Sequence, residues 1–90
     1  MAASRTIELS AAAATQLHTL PRDQQILIGK AIDRMQTDSF QGDVQPLKGK
    51  KWQGRYRKRL GRYRLIFIPF HQQRMIEISA ILLHNEQTYR

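Results

Sequence analysis

The sequence has no cysteine, so neither a disulfide framework nor a thiolate metal site can be built, and the composition suits a reducing compartment such as the cytoplasm. Long apolar runs are missing too. The longest nearly apolar stretch, Ile78 to Leu83, falls far below the roughly twenty residues that span a bilayer. The opening Met-Ala-Ala-Ser-Arg carries no signal-peptide pattern, so a soluble cytoplasmic protein with no membrane partner is expected. The histidines do not fall at metal-ligand spacing with one another or with Asp or Glu, and there is no Ser/His/Asp set or phosphate-cradling glycine loop. No metal and no cofactor are assigned. With 90 residues, 41% of them hydrophobic, the chain has material for one small core, hence a single domain over 1–90, and little for pockets of enzyme depth.

The most informative scarcity is local. Between Lys48 and Arg64 there is no acid, while nine of the seventeen positions are Lys or Arg and three more are Trp52, Tyr56 and Tyr63. Residues 1–44 hold four basic against five acidic residues, and residues 45–90 hold eleven against two, so the formal net charge of +8 belongs to the second half. A field concentrated in this way attracts and orients a polyanion. The tract reads as a surface for the phosphates of a nucleic acid, with Lys48, Lys50, Lys51, Arg55 and Arg62 as its binding positions.

The rest of the pattern points to an α+β fold. Arg5 to Leu9 alternates polar and apolar like a half-buried strand. Ser10 is a natural N-cap for a helix over Ala11 to Thr19, with Ala13, Leu17 and Leu20 on one face. Pro21 opens a second helix towards Thr37, with Asp23 at its positive end and Ile28, Ile32 and Met35 as its stripe. Residues 38–54 read as a loop, anchored by Val44 and Leu47. Three antiparallel strands follow: Arg55 to Leu60, Tyr63 to Pro69 and Met75 to Leu83. The first two are joined by Gly61-Arg62, a pair suited to a type II′ hairpin turn.

That turn sets a register in which Leu60 faces Tyr63, Arg59 faces Arg64 and Lys58 faces Leu65. Alternation then sends Arg55, Arg57, Arg59 and Arg64 to one side of the sheet and Tyr56, Leu60, Tyr63, Leu65 and Phe67 to the other, where the helices should lie. Arg59 opposite Arg64 works against folding unless an anion lies between them. Arginine is also the residue whose rigid fork of donors matches phosphate. Tyr56 and Tyr63 are expected to pack in the core, and Trp52 suits either core capping or base stacking. His18 and His71 are expected at the surface without a role. His84, at the end of the last strand, has a near-neutral pKa suited to proton donation or simply closes the strand.

These residues in this order resemble a known family. Pro46-Leu47-Lys48-Gly49, then Tyr56-Arg57-Lys58-Arg59-Leu60-Gly61-Arg62-Tyr63-Arg64-Leu65-Ile66-Phe67, and finally His84 to Tyr89 look like the RelE/ParE superfamily of toxins from bacterial type II toxin-antitoxin systems, over nearly the whole chain. The resemblance implies a RelE-like fold: an N-terminal strand, a helical hairpin, then antiparallel strands forming a sheet with the helices on one face. It also implies ribosome-dependent, metal-independent cleavage of mRNA and a cognate antitoxin as partner. Arg57 and Arg59 match basic catalytic positions on the strand. Arg64 matches an arginine that stabilises charge at the scissile phosphate, and Tyr89 matches a C-terminal tyrosine that stacks on the mRNA. Where many relatives have an arginine after the strand-end histidine, this chain has Asn85, which leaves the general acid open.

Metal-free RNA cleavage needs an activated 2′-hydroxyl, an in-line phosphorus centre, stabilisation of the added negative charge and protonation of the 5′-oxygen. Arg57, Arg59 and Arg64 suit the charge. Guanidinium groups are poor bases, so His84 or Tyr89 moves the proton, or the ribosome and RNA organise that step. Two alternatives stand beside this one. A ParE-like inhibitor of DNA gyrase would have no need of Arg57, Arg59, Arg64 and Tyr89 together, and a non-catalytic RNA-binding module accommodates Asn85.

Overall fold

The computed structural model describes residues 4–40 and 42–83. In chain order it runs β1 (Thr6–Leu9), α1 (Ala11–His18), α2 (Arg22–Arg34), β2 (Val44–Pro46), a 3-10 turn (Lys50–Trp52), β3 (Tyr56–Leu60), β4 (Tyr63–Phe70) and β5 (Met75–Leu83). The five strands form one sheet in the order β1-β5-β4-β3-β2, antiparallel except for the parallel pair β1 and β5. This is the expected strand, helical hairpin and sheet arrangement, with two additions.

One addition is β2. Val44–Pro46 lies in the segment read as a loop, and it pairs Val44 with Lys58, Gln45 with Arg57 and Pro46 with Tyr56. The strand is three residues long and sits at the sheet edge, where a proline without an N–H is tolerated. The other addition is the parallel β1–β5 pair, which sets Ile7 beside Ile76 and Leu9 beside Ile78. It joins the two ends of the described chain.

Both helices pack on one face of the sheet. Ala13 of α1 and Ile28 and Ile32 of α2 share a buried cluster with Met35, Tyr63, Leu65, Phe67, Ile76, Ile78 and Ile81, and Leu17, Leu20, Tyr56 and Leu60 pack against it. The helical stripes and the inward tyrosines therefore lie where alternation and periodicity put them. Ser10 caps α1: its hydroxyl accepts from the Ala13 amide at 3.1 Å and donates to the Ser79 carbonyl at 2.8 Å.

Ser79 is the extra residue of a bulge, since Ile66 pairs with Ala80 but the next residue, Phe67, pairs with Ile78. A bulge frees backbone groups from the ladder, and α1 collects them. Besides the Ser10 contact, the Gln16 side-chain oxygen accepts from the Ile81 amide at 2.7 Å. Burial of Ile78 and Ile81 on the same face depends on this irregularity.

Candidate nucleic-acid interface

The β3–β4 hairpin has the expected register. Leu60 pairs with Tyr63, Arg59 with Arg64, Lys58 with Leu65 and Arg57 with Ile66. Its turn depends on Gly61, which takes φ +56°, whereas Arg62 is not among the residues of positive φ. That combination suits a type II′ connection and would strain any residue with a Cβ at position 61.

Because neighbouring side chains alternate, Arg57, Arg59 and Arg64 share the face away from the helices. Between them is an apolar floor: Ile66 is opposite Arg57 and two residues from Arg64 along β4, with Ala80 and Leu82 of β5 as the next partners across. Ile66 is buried although it lies outside the helix-side cluster. Arg59 is exposed, and Arg57 and Arg64 are half-buried.

Arg57 is further held by Asp43, Nη1 to Oδ1 at 3.4 Å, and the Arg59 amide donates to the Asp43 carbonyl at 2.9 Å. The loop before β2 thus fixes the approach of two of the three arginines. Sequence pattern alone did not single out Asp43. Its signal was its position, the last acid before the acid-free tract.

The remaining basic candidates flank this region at both ends of β3, Lys48, Lys50, Lys51 and Arg55 before the strand and Arg62 in the turn after it. Lys48, Lys50, Lys51 and Arg62 are exposed and Arg55 is half-buried. The Lys51 ammonium and the Arg55 guanidinium lie 5.5 and 5.8 Å from the Trp52 ring centroid. Trp52 is half-buried, and its ring gathers two of the cations assigned to phosphates, holding them by attraction to its π face. His84, Asn85 and Tyr89 lie outside the described residues.

One member of the basic tract does not belong to this surface. Lys58 is 8% exposed and lies on the helix side, between the inward-facing Tyr56 and Leu60. The tract is thus not one surface: alternation along β3 that exposes Arg57 and Arg59 turns Lys58 inward. Desolvation by burial holds its ammonium below the ordinary lysine range, opposed by the charge of Asp38 and reinforced by that of Arg34.

His71 is exposed as expected, but its ring stacks on Phe40 at 6.4 Å and 24°. Phe40 also meets Tyr56 edge-on at 5.2 Å and has the Arg5 guanidinium 5.7 Å from its centroid. This cluster closes the end of the core remote from Gly61 and has no part in the arginine face.

No protein-family model matches the sequence, and no curated protein matches it. Solved structures do match in fold. A chain of the toxin-antitoxin complex RelBE2 from Mycobacterium tuberculosis superposes with a TM-score of 0.80 at 19% identity, covering 91% of this chain and 99% of that one. A chain of the archaeal RelE-RelB complex from Pyrococcus horikoshii gives 0.79 at 20%, covering 92% and 98%. The isolated RelE toxin of E. coli gives 0.69 at 10%, covering 94% and 89%. The described architecture is the RelE fold, shared across nearly the whole of each chain.

Proposed function

We propose that this chain, built on the RelE fold, is the toxin of a type II toxin-antitoxin system and acts as a ribosome-dependent mRNA endonuclease that stops translation. The observation that carries this is the placement of Arg57, Arg59 and Arg64 on one open sheet face, with Arg59 directly opposite Arg64. Like charges facing each other across a ladder are unfavourable, and a phosphate between them turns that repulsion into binding.

In the proposed reaction the 2′-hydroxyl gives up its proton to the surrounding ribosome and RNA and attacks the adjacent phosphorus, and the 5′-oxygen leaves, giving a 2′,3′-cyclic phosphate. Negative charge grows on the non-bridging oxygens as the new bond forms. Fixed guanidinium donors aimed at that charge lower the barrier without themselves giving up a proton. Arg64, half-buried and central in the sheet, is the principal donor. Arg57, tied to Asp43, and Arg59 complete the clamp. Lys48, Lys50, Lys51, Arg55 and Arg62 hold the flanking phosphates, which fixes register along the strand. His84 or Tyr89 protonates the leaving oxygen, and Tyr89 stacks on a base. An acidic antitoxin silences the +8 surface until it is removed.

The test is single-turnover cleavage of a defined mRNA with and without programmed ribosomes, with the product ends analysed and gyrase supercoiling measured in parallel. Ribosome-dependent cuts ending in cyclic or 3′-phosphate are expected, with supercoiling untouched. Products with a 3′-hydroxyl would rule out 2′-hydroxyl attack, and gyrase inhibition with intact mRNA would replace the nuclease by a gyrase poison.

A further inference from the structure

The end of the sheet remote from Gly61 gathers cations that the clamp does not use. Thr6 is the parallel partner of Met75, and its amide donates to the Arg74 carbonyl at 2.9 Å, so Arg5 and Arg74 stand side by side where two neighbouring strands begin. Period-two alternation from Ile7 sends Arg5 to the helix side, where its guanidinium lies 5.7 Å from the Phe40 centroid. Glu8 and Glu77 alternate to the opposite face. Within the described residues neither arginine has an ion pair, and Arg5 Nη1 is buried with no hydrogen-bond partner. The corner therefore keeps its positive charge.

Two features here serve no purpose in the core. Arg74 is the one non-glycine described residue with a left-handed backbone, at φ +51°, in a turn that its amide closes on the His71 carbonyl at 3.2 Å. Glycine or asparagine would adopt that conformation with less strain, so an arginine kept there implies a use for its side chain. Phe40 stays 41% exposed, and His71, itself exposed, stacks on it. Behind them Tyr56 and Phe67 hold the Phe40 ring at 5.2 and 5.8 Å. An exposed aromatic stack beside unpaired guanidinium groups is the combination that a single-stranded nucleic acid requires, base on ring and phosphate on cation.

We infer that this corner is a second RNA contact, where a nucleotide outside the cleavage clamp stacks its base on His71 and Phe40 and sets a phosphate between Arg5 and Arg74. This rests on the function proposed above and extends the track of its substrate. Arg55 precedes Tyr56, which touches Phe40, so a strand leaving the arginine face past Arg55 reaches the corner by turning around the end of the sheet. RNA fits better than an acidic peptide, because the rings present an exposed flat surface and not a recess for apolar side chains. These residues touch no reacting atom. They set affinity and the length of RNA that the protein covers.

The experiment titrates the isotope-labelled protein with two oligouridylates, about three and about eight nucleotides long, and with a glutamate-rich peptide. The longer strand should bind more tightly and shift the amides of Phe40 and of residues 71–74, which the shorter strand leaves in place. His71→Ala should weaken the longer strand by about fivefold or more. Arg74→Gly should weaken it similarly and lower the slope of log affinity against log salt by about 0.7, the value for one phosphate of a single strand. Neither should alter binding of the shorter strand. His71 and Arg74 are exposed and glycine relieves the turn, so both variants should fold, which their melting curves check. Equal affinities for the two lengths, or variants that bind the longer strand as the wild type does, overturn the proposal. So does a peptide that moves these amides where the longer strand does not, since the corner would then be a protein site. Cleavage on programmed ribosomes keeps the two conclusions apart. A chain that binds the longer strand here but leaves mRNA intact loses the nuclease assignment alone, and one that cleaves mRNA but shows no length dependence loses this contact alone.

Discussion

Strand β3 carries three consecutive cations, Arg57, Lys58 and Arg59, and sends them to opposite sides of the sheet. The two arginines reach the face away from the helices, where Arg59 is exposed and the half-buried Arg57 is paired with Asp43, so their charge is held at little cost in stability. Lys58 reaches the helix side, where burial displaces its ionisation. The same kind of charge, one residue apart, is available for chemistry on one face and a standing cost on the other.

The sharpest way to break this comparison is on the open face. Arg64→Ala should slow single-turnover cleavage by roughly a hundredfold or more, and far more than it changes the melting temperature. Ribosome affinity should change little. If affinity falls and the rate of the bound complex does not, the arginine face binds RNA without acting on it.

Next in size is the buried side. Lys58→Met should stabilise the fold by about 1 kcal/mol at neutral pH, as replacing a buried charge by an apolar group of similar volume often does, raising the melting temperature by about 4–8 °C. The sign of the pH dependence follows from the lowered folded-state pKa. Between that value and the ordinary 10.5 the unfolded chain holds a proton that the folded chain has released, so wild-type stability rises with pH across this window. The gap between wild type and Lys58→Met should therefore narrow as pH is raised. A gap that widens, or a variant less stable at every pH, would mean that the interactions of the ammonium within the fold outweigh its desolvation.

The smallest expected effect lies where the two sides meet. Asp43→Ala frees Arg57 from a pair at 3.4 Å whose carboxylate is exposed, which should cost about 1 kcal/mol of stability or less. It also removes a negative charge beside the clamp, so RNA affinity should rise modestly and depend more steeply on salt. Unchanged affinity would show that Asp43 only positions backbone.

Much of the hairpin was legible before any coordinates. Gly61 determines the turn, the turn determines the register, and period-two alternation then assigns a face to each residue from Tyr56 to Phe67. Ser10 was equally plain, because a capping hydroxyl before an alanine run has one local use. What escaped was non-local. Val44–Pro46 becomes a strand only because the edge of β3 offers it hydrogen bonds, and nothing within three residues containing a proline announces that. The parallel pairing of Thr6–Leu9 with Met75–Ile78 joins segments separated by most of the chain. Lys58 is a different case. Its pairing with Leu65 already placed it among inward residues, but the density of charge around it made the tract look like a single surface.

The bulge at Ser79 also decides which changes of length the last strand tolerates. In a regular strand, losing one residue turns every later side chain over. Here Ser79 is the supernumerary residue, so its deletion would leave Ile81 towards the helices and Leu82 towards the arginines, their present sides. What would disappear is the carbonyl that Ser10 grips, and with it part of the tether of α1 to the sheet. At every other position in β5 a single-codon deletion threatens the parity of the sheet, whereas at this one it tests only the anchorage of a helix.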